Sequence, residues 1–338
     1  MKKVLSILLS IIIITLSLYS GLTALAAETK VKYDSQKQQF NSQCAAFNYR
    51  GDKTAKLVYD NDEGDFKVYY SESLTKKGKE IFATDEYSGL AIKGNYVFYT
   101  CPQDGLIMRR KLNGKSPKTI VKVKKNTYSA INFIICGSRL IYNLIVFDKS
   151  GEFKSSKLYS ATTKGENKKL IAKNVKSDMY MYKNMLYFLK GKDIMRYNFN
   201  VGELKRRYVG LDVTGARLLG MENNILYIGY PKGDKLNKMN FFRADVDKQK
   251  FWKFESAECG AYIYSACVSE NKPCLITMRK EGNYFAAVRG DKADFQTYRK
   301  KYATGGNSLG FWKNSIVLDS LSGDKNHTFK KYVVMVKN

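Results

Sequence analysis

AIKGNYVFYTCPQDGLIMRRKLNGKSPKTIVKV, residues 91–123, holds short runs of Val, Ile, Tyr and Phe broken by three turn signals. Gly94-Asn95, Gln103-Asp104-Gly105 and Asn113-Gly114 separate the runs. Gly, Asn and Asp tolerate the backbone angles of tight hairpins, while β-branched and aromatic side chains suit the pleated strands between them. The stretch predicts a four-stranded antiparallel meander.

Its second strand recurs along the chain. LVYDN (57–61), YVFYT (96–100), LIYNL (140–144), MLYFL (185–189), ILYIG (225–229), CLITM (274–278) and IVLDS (316–320) follow one another at steps of 39, 44, 45, 40, 49 and 42 residues. A period of 40 to 50 residues with four short strands per unit points to a β-propeller. A single such sheet cannot bury both of its apolar faces, so each blade needs a neighbour on either side and the ring has to close. The expected fold is all-β: one propeller of seven four-stranded blades, with six or eight as alternatives, closed by pairing of N- and C-terminal strands. Only three good strands precede the chain end in the seventh unit, so a segment near the N-terminus would supply the missing outer strand and remove an open edge.

MKK followed by VLSILLSIIIITLSLYSGLTALA and an Ala24-x-Ala26 site has the form of a secretory leader. The domains expected are a signal peptide at 1–26, a polar segment at 27–43 that includes a closing strand or serves as a tether, and the propeller at 44–338. Retention of the leader as a membrane anchor is the competing reading.

Within the blades, length changes fall in connections, where they are cheap. Residues 150–154 form a longer connection in the third unit, and PKGDKLNKMN (231–240) is expected to be a basic loop in the fifth. Met179, Met181, Met185 and Met195 read as packing residues rather than a ligand stripe. Phe241 and Trp252 read as buried between blades, with a binding surface as the competing role.

The chain carries 58 Lys and Arg against 31 Asp and Glu, a formal net charge of +27. That imbalance favours anionic partners and salt-sensitive association. Export directs the expectation toward phosphate- or carboxylate-bearing envelope polymers rather than nucleic acid. Candidate anion contacts are Arg109, Arg110 and Lys111; Lys122, Lys124 and Lys125; Arg206 and Arg207; Arg299, Lys300 and Lys301; and Lys330 with Lys331. The competing reading of each cluster is a solvated strand or loop.

Six cysteines include a local group, Cys259, Cys267 and Cys274, for which one local disulfide of open pairing and buried free thiols are the two readings. The single histidine, His327, has no serine-nucleophile or HExxH pattern to give it a catalytic role. DNDEGD (60–65) departs from a calcium loop in its glycine position and its missing twelfth-position Glu, so it reads as an acidic hairpin turn. Asp60, Asp104, Asp178, Asp212, Asp234 and Asp319 lie near expected loops, where two could meet as in a carbohydrate-active hydrolase or lyase, but Asp is also common in β-turns. No catalytic residue, metal ligand or cofactor is assigned.

GNYVFY, QDG and LIMRRKLNGKSPKTIV resemble the repeat of secreted bacterial proteins grouped as domains of unknown function DUF5050, which look similar to lipoprotein-receptor-like β-propellers. KNMLYF and NNILYI are weaker copies, and the likeness runs through much of residues 45–338. The YWTD signature of the receptor propellers is absent, so the resemblance implies fold and export without lipoprotein or calcium binding. The function expected is that of a secreted, noncatalytic propeller that binds an extracellular or envelope partner, an anionic polymer in the first instance. A protein-protein scaffold and a carbohydrate-active enzyme are the alternatives.

Overall fold

The computed structural model describes the chain from residue 47 to residue 332, apart from the connecting segments 51–52, 61–62, 74–77, 85–88, 102–103, 124–127, 176–178, 209–215, 233–234, 259–261, 270–271, 280–281, 290–291, 297–306, 313–314 and 320–330; side chains are described chiefly between residues 53 and 252. The expected leader, the segment 27–43 and the closing strand placed there lie outside the described residues. Among the described residues no helix is long and apolar enough to cross a membrane.

Among the described residues seven antiparallel sheets follow one another in chain order. The first is built of β1 (Phe47–Arg50), β2 (Lys53–Asp60), β3 (Asp65–Ser71) and β4 (Lys79–Thr84). The second has β5 (Leu90–Lys93), β6 (Tyr96–Cys101), β7 (Leu106–Lys111) and β8 (Lys118–Lys122). β9 (Tyr128–Cys136), β10 (Arg139–Phe147), β11 (Phe153–Thr162) and β12 (Lys169–Lys173) make the third. The fourth contains β13 (Met179–Tyr182), β14 (Met185–Lys190), β15 (Asp193–Asn198) and β16 (Glu203–Tyr208). The fifth contains β17 (Arg217–Glu222), β18 (Ile225–Lys232), β19 (Lys235–Asp245) and β20 (Lys250–Glu258). β21 (Tyr262–Ser269), β22 (Lys272–Arg279), β23 (Gly282–Arg289) and β24 (Lys292–Gln296) form the sixth. The seventh shows β25 (Asn307–Trp312), β26 (Ser315–Asp319) and β27 (Lys331–Tyr332) among the described residues. Every sheet is a simple up-and-down meander, so the turns read from the sequence set the topology.

The second strands explain why the sheets stack. Successive strand residues face opposite sides, and both sides of β6 are buried. Val97 and Tyr99 pack into a core with Leu57, Val68 and Phe82 of the first sheet. Phe98, one position away from each, joins Ile131, Phe133, Leu140 and Tyr142 of the third. β10 divides in the same way, with Leu140 and Tyr142 turned toward the second sheet and Ile141 toward the fourth. In β14, Leu186 and Phe188 pack toward the third sheet, whereas Tyr187 and Leu189 meet Leu226 and Ile228 of the fifth. Burying a side chain such as Phe188 contributes about 2–3 kcal/mol relative to leaving it in water. The recurrent anchor is thus apolar throughout because both of its faces are seams.

Two glycines lock these seams. In the β7–β8 turn, Gly114 has φ +81°, and a Cβ there would strike the Ile81 carbonyl oxygen of the first sheet. Gly165 repeats the arrangement in the β11–β12 turn, with φ +91° and a Cβ position 2.5 Å from the Ile120 carbonyl oxygen of the second sheet. The third-to-fourth-strand turn of each of these sheets therefore leans on the fourth strand of the sheet before it. First strands also neighbour one another in order, from β1 to β5, β9, β13, β17, β21 and β25, and β25 lies beside β1.

The fifth sheet departs from expectation. The supposed basic loop at 231–240 is mostly strand, since Tyr230 pairs with Asn240, Pro231 with Met239 and Lys232 with Lys235. A register shift at Pro231/Lys232 admits the proline, which cannot donate to a ladder. Phe241 is fully buried, as inter-blade packing requires, but Trp252 on the outer strand β20 is exposed.

Candidate functional site

The arginines lie in or beside the seams. Arg110 stacks its guanidinium 4.7 Å from the Phe82 ring centroid in the first sheet and donates to the Gly114 carbonyl at 3.4 Å. Arg109 lies 4.7 Å from the Tyr96 ring centroid and reaches the Thr163 carbonyl of the third sheet at 3.5 Å. Arg207 donates through Nε to the Val246 carbonyl at 2.7 Å and sits 3.4 Å from Asp247 Oδ1; Arg196 meets the same carboxylate oxygen at 3.0 Å. Arg139, in the third sheet, stacks 4.4 Å from the Phe199 ring centroid and donates to Asn184 Oδ1 at 2.9 Å in the fourth. These contacts tie neighbouring sheets together. Arg206 differs, being exposed and paired with Asp193 Oδ2 at 3.1 Å.

Lysines occupy the outer edges. β8 reads KTIVK and β12 reads KLIAK, and in both the two central apolar residues are buried while the flanking lysines are exposed. Lys118 and Lys122 flank Ile120, whose carbonyl is the surface on which the Gly165 turn rests. Lys164, in that turn, is exposed as well. The seam therefore brings basic residues of the second and third sheets to one rim.

The ladder adds a like-charge pair. Lys157 of β11 and Lys173 of β12 are Cα partners, both exposed, and neither forms an ion pair among the described residues. Opposed charges of one sign destabilise a sheet unless something neutralises them. Other basic residues also oppose one another in the ladders, and two of those pairs have internal relief. Arg109 faces Lys118 but turns to Tyr96 and Thr163, and Arg196 faces Lys205 while Asp247 and Glu203 neutralise the two in turn. At the start of β12, Lys168 Nζ lies 4.2 Å from the Tyr159 centroid and Lys169 Nζ 5.7 Å from that of Tyr197 in the fourth sheet. Lys118, Lys122 and Lys164 beside the seam, together with the Lys157–Lys173 pair in the ladder of the third sheet, are taken as the candidate anion-binding rim.

Of the residues singled out in the sequence, Lys111 and Lys122 are exposed, and Lys122 belongs to this rim. Lys124, Lys125, Arg299, Lys300, Lys301 and Lys330 lie outside the described residues, as do Cys259 and His327; Lys331 is placed in β27 opposite Val317. Lys118, Lys157, Lys164 and Lys173 were missed. The signal for two of them was the repeated K-x-x-x-K of the fourth strands, which places lysine at both ends of an edge.

Burial holds several phenols in their neutral form. Burial pushes the Tyr227 phenol up to about 12, with Arg243 opposing, and also raises Tyr142 and Tyr187. They stay uncharged at neutral pH. Among the described residues no three His, Cys, Asp or Glu side chains gather into a metal-binding group. Asp104 is exposed in the β6–β7 turn, whereas Asp178, Asp212 and Asp234 lie outside the described residues.

No protein family and no curated protein matches the chain. Its fold is similar to solved structures. An oligogalacturonate lyase from Vibrio parahaemolyticus aligns over 81% of this chain and 84% of its own, at 10% identity and a TM-score of 0.52. An oligogalacturonate lyase in complex with manganese aligns over 90% and 88%, also at 10% identity and 0.52. A chain of a mitotic checkpoint complex aligns over 91% and 98%, at 8% identity and 0.52. Identities this low concern the fold alone: repeated antiparallel sheets in a propeller-like arrangement, shared by enzymes and non-enzymes.

Proposed function

We propose that the chain is a secreted or cell-surface, noncatalytic propeller of seven blades, akin to the DUF5050-type proteins its repeat resembles, that holds an anionic envelope polymer on its lysine rim. The position of β25 beside β1 supports closure. In an open row of seven sheets stacked at about 10 Å, spin labels at Asn48 and Ser308 would stand roughly 60 Å apart. In a closed ring they come within about 20 Å.

The exposed Lys157–Lys173 pair carries the binding reading. A phosphate or carboxylate between these strands would relieve their repulsion, and a polymer of such groups would engage Lys118, Lys122 and Lys164 along the same rim. The linear spacing of charges on a polymer suits an edge better than it suits an enclosed pocket. Capture of polyphosphate and polyglutamate, with neutral dextran as control, tests this. Retention of the two anionic polymers alone, lost as salt rises past the range in which the Debye length falls below about 8 Å, is the expected outcome.

A scaffold for protein partners is the second reading. Val201 and Leu204 of the fourth sheet and Trp252 of the fifth are exposed on outer strands and turns. Isolated apolar side chains are ordinary on protein surfaces, so the lysine rim is the stronger basis.

A further inference from the structure

Cys267 and Cys274 are Cα partners in the β21–β22 hairpin, with Val268↔Pro273 and Ser269↔Lys272 between them and the turn. Directly opposed residues of an antiparallel pair have Cα atoms about 4.5 or 5.5 Å apart, according to the kind of pair. Both separations fall in the range of about 4.4–6.8 Å that a disulfide spans. The two positions share one sheet face, opposite the face of Val268 and Pro273.

The hairpin has a local reason for a covalent tie. Pro273 interrupts the N–H series of β22, which is an inner strand of its sheet. The ladder is thereby weakened one residue from Cys274. Elsewhere among the described residues, Cys101 ends β6 and Cys136 ends β9, in separate sheets and not joined by a disulfide.

We propose that Cys267 and Cys274 form a reversible disulfide that clasps the turn end of this hairpin. The oxidant is a small or protein disulfide of the kind met outside the cytoplasm. One cysteine thiolate attacks a sulfur of the donor, breaking its S–S bond and releasing one thiolate. The second cysteine, as thiolate, then attacks the mixed disulfide and releases the other. The protein loses two electrons and two protons, and the donor becomes two thiols. A closed loop this short constrains the unfolded chain less than a long one would, and thiol–disulfide exchange with small thiols reverses the bond. The clasp draws on export only for its oxidant; its geometry is independent of what the lysine rim binds.

The test uses the full chain, reduced, equilibrated with glutathione disulfide, alkylated and digested after glutamate without reduction. Cleavage after Glu270 separates the two cysteines. The expected product is a Cys267–Cys274 linkage that survives in Cys259→Ser, with Cys101 and Cys136 alkylated. Cys267→Ser leaves Cys274 alkylated or held as its mixed disulfide with glutathione, and in no intramolecular bond. In the wild type, alkylation of both residues, a bond from either to Cys259, or persistent glutathione adducts would overturn the proposal, whereas finding the protein inside the cell would bear only on export.

Discussion

Lys157 and Lys173 face each other across β11 and β12, two exposed ammonium groups on neighbouring strands. A pair of this kind costs stability, typically a few tenths to about 1 kcal/mol. Lys173→Glu replaces the repulsion with attraction and should raise the unfolding temperature by roughly 1–3 °C at low salt. The gain should shrink as salt is added. Thermal scans of the two proteins at two ionic strengths check both.

Gly165 has no room for a side chain. Gly165→Ala would drive a Cβ into the Ile120 carbonyl and hold alanine at φ +91°, so it should destabilise by about 2–4 kcal/mol. Gly151 also has positive φ but faces open space, and Gly151→Ala should cost only about 1 kcal/mol. Urea unfolding of the two variants ranks them.

Arg207 serves the fourth-to-fifth seam. Arg207→Gln removes its donation to Val246 and its approach to Asp247, for a loss of about 1–2 kcal/mol. The Asp247 carboxylate is half exposed, which keeps the ion-pair share small. Denaturant midpoints should fall while polymer capture stays at the wild-type level.

Alkaline pH should loosen the seams. Tyr227 titrates in the folded protein near 12, above the ordinary phenol value of 10.0, because burial penalises its charged form. The folded state therefore holds its proton more tightly than the unfolded chain. Stability from this group is complete below pH 10 and declines as pH rises toward 12. Ultraviolet titration should show a late-ionising class of tyrosines whose release coincides with unfolding.

The seams were legible in the sequence because the second strands repeat an apolar pattern at near-constant spacing, and turns such as Gly94-Asn95 and Asn113-Gly114 fall where the chain reverses. The charged surface was not. Neighbours on a strand point to opposite faces, so Arg109 and Arg110, adjacent in the chain, part toward the third and first sheets. This doublet therefore dissolves into two seams, while in the Arg206-Arg207 doublet only Arg207 enters one. Lys157 and Lys173 meet only through ladder register, which linear proximity does not reveal. Residues 231–240 were misread because their lysines and proline resemble loop composition, whereas the pairing of long strands around a bulge overrides it.

The most direct measurement is the affinity of the protein for polyphosphate across a salt series, made on the wild type and on Lys157→Gln/Lys173→Gln. The account predicts a steep fall of affinity with salt for the wild type, and for the double variant about tenfold weaker binding at low salt with a log–log slope reduced by about 1–2. Wild-type affinity that ignores salt, or a double variant that binds as the wild type does, would contradict it.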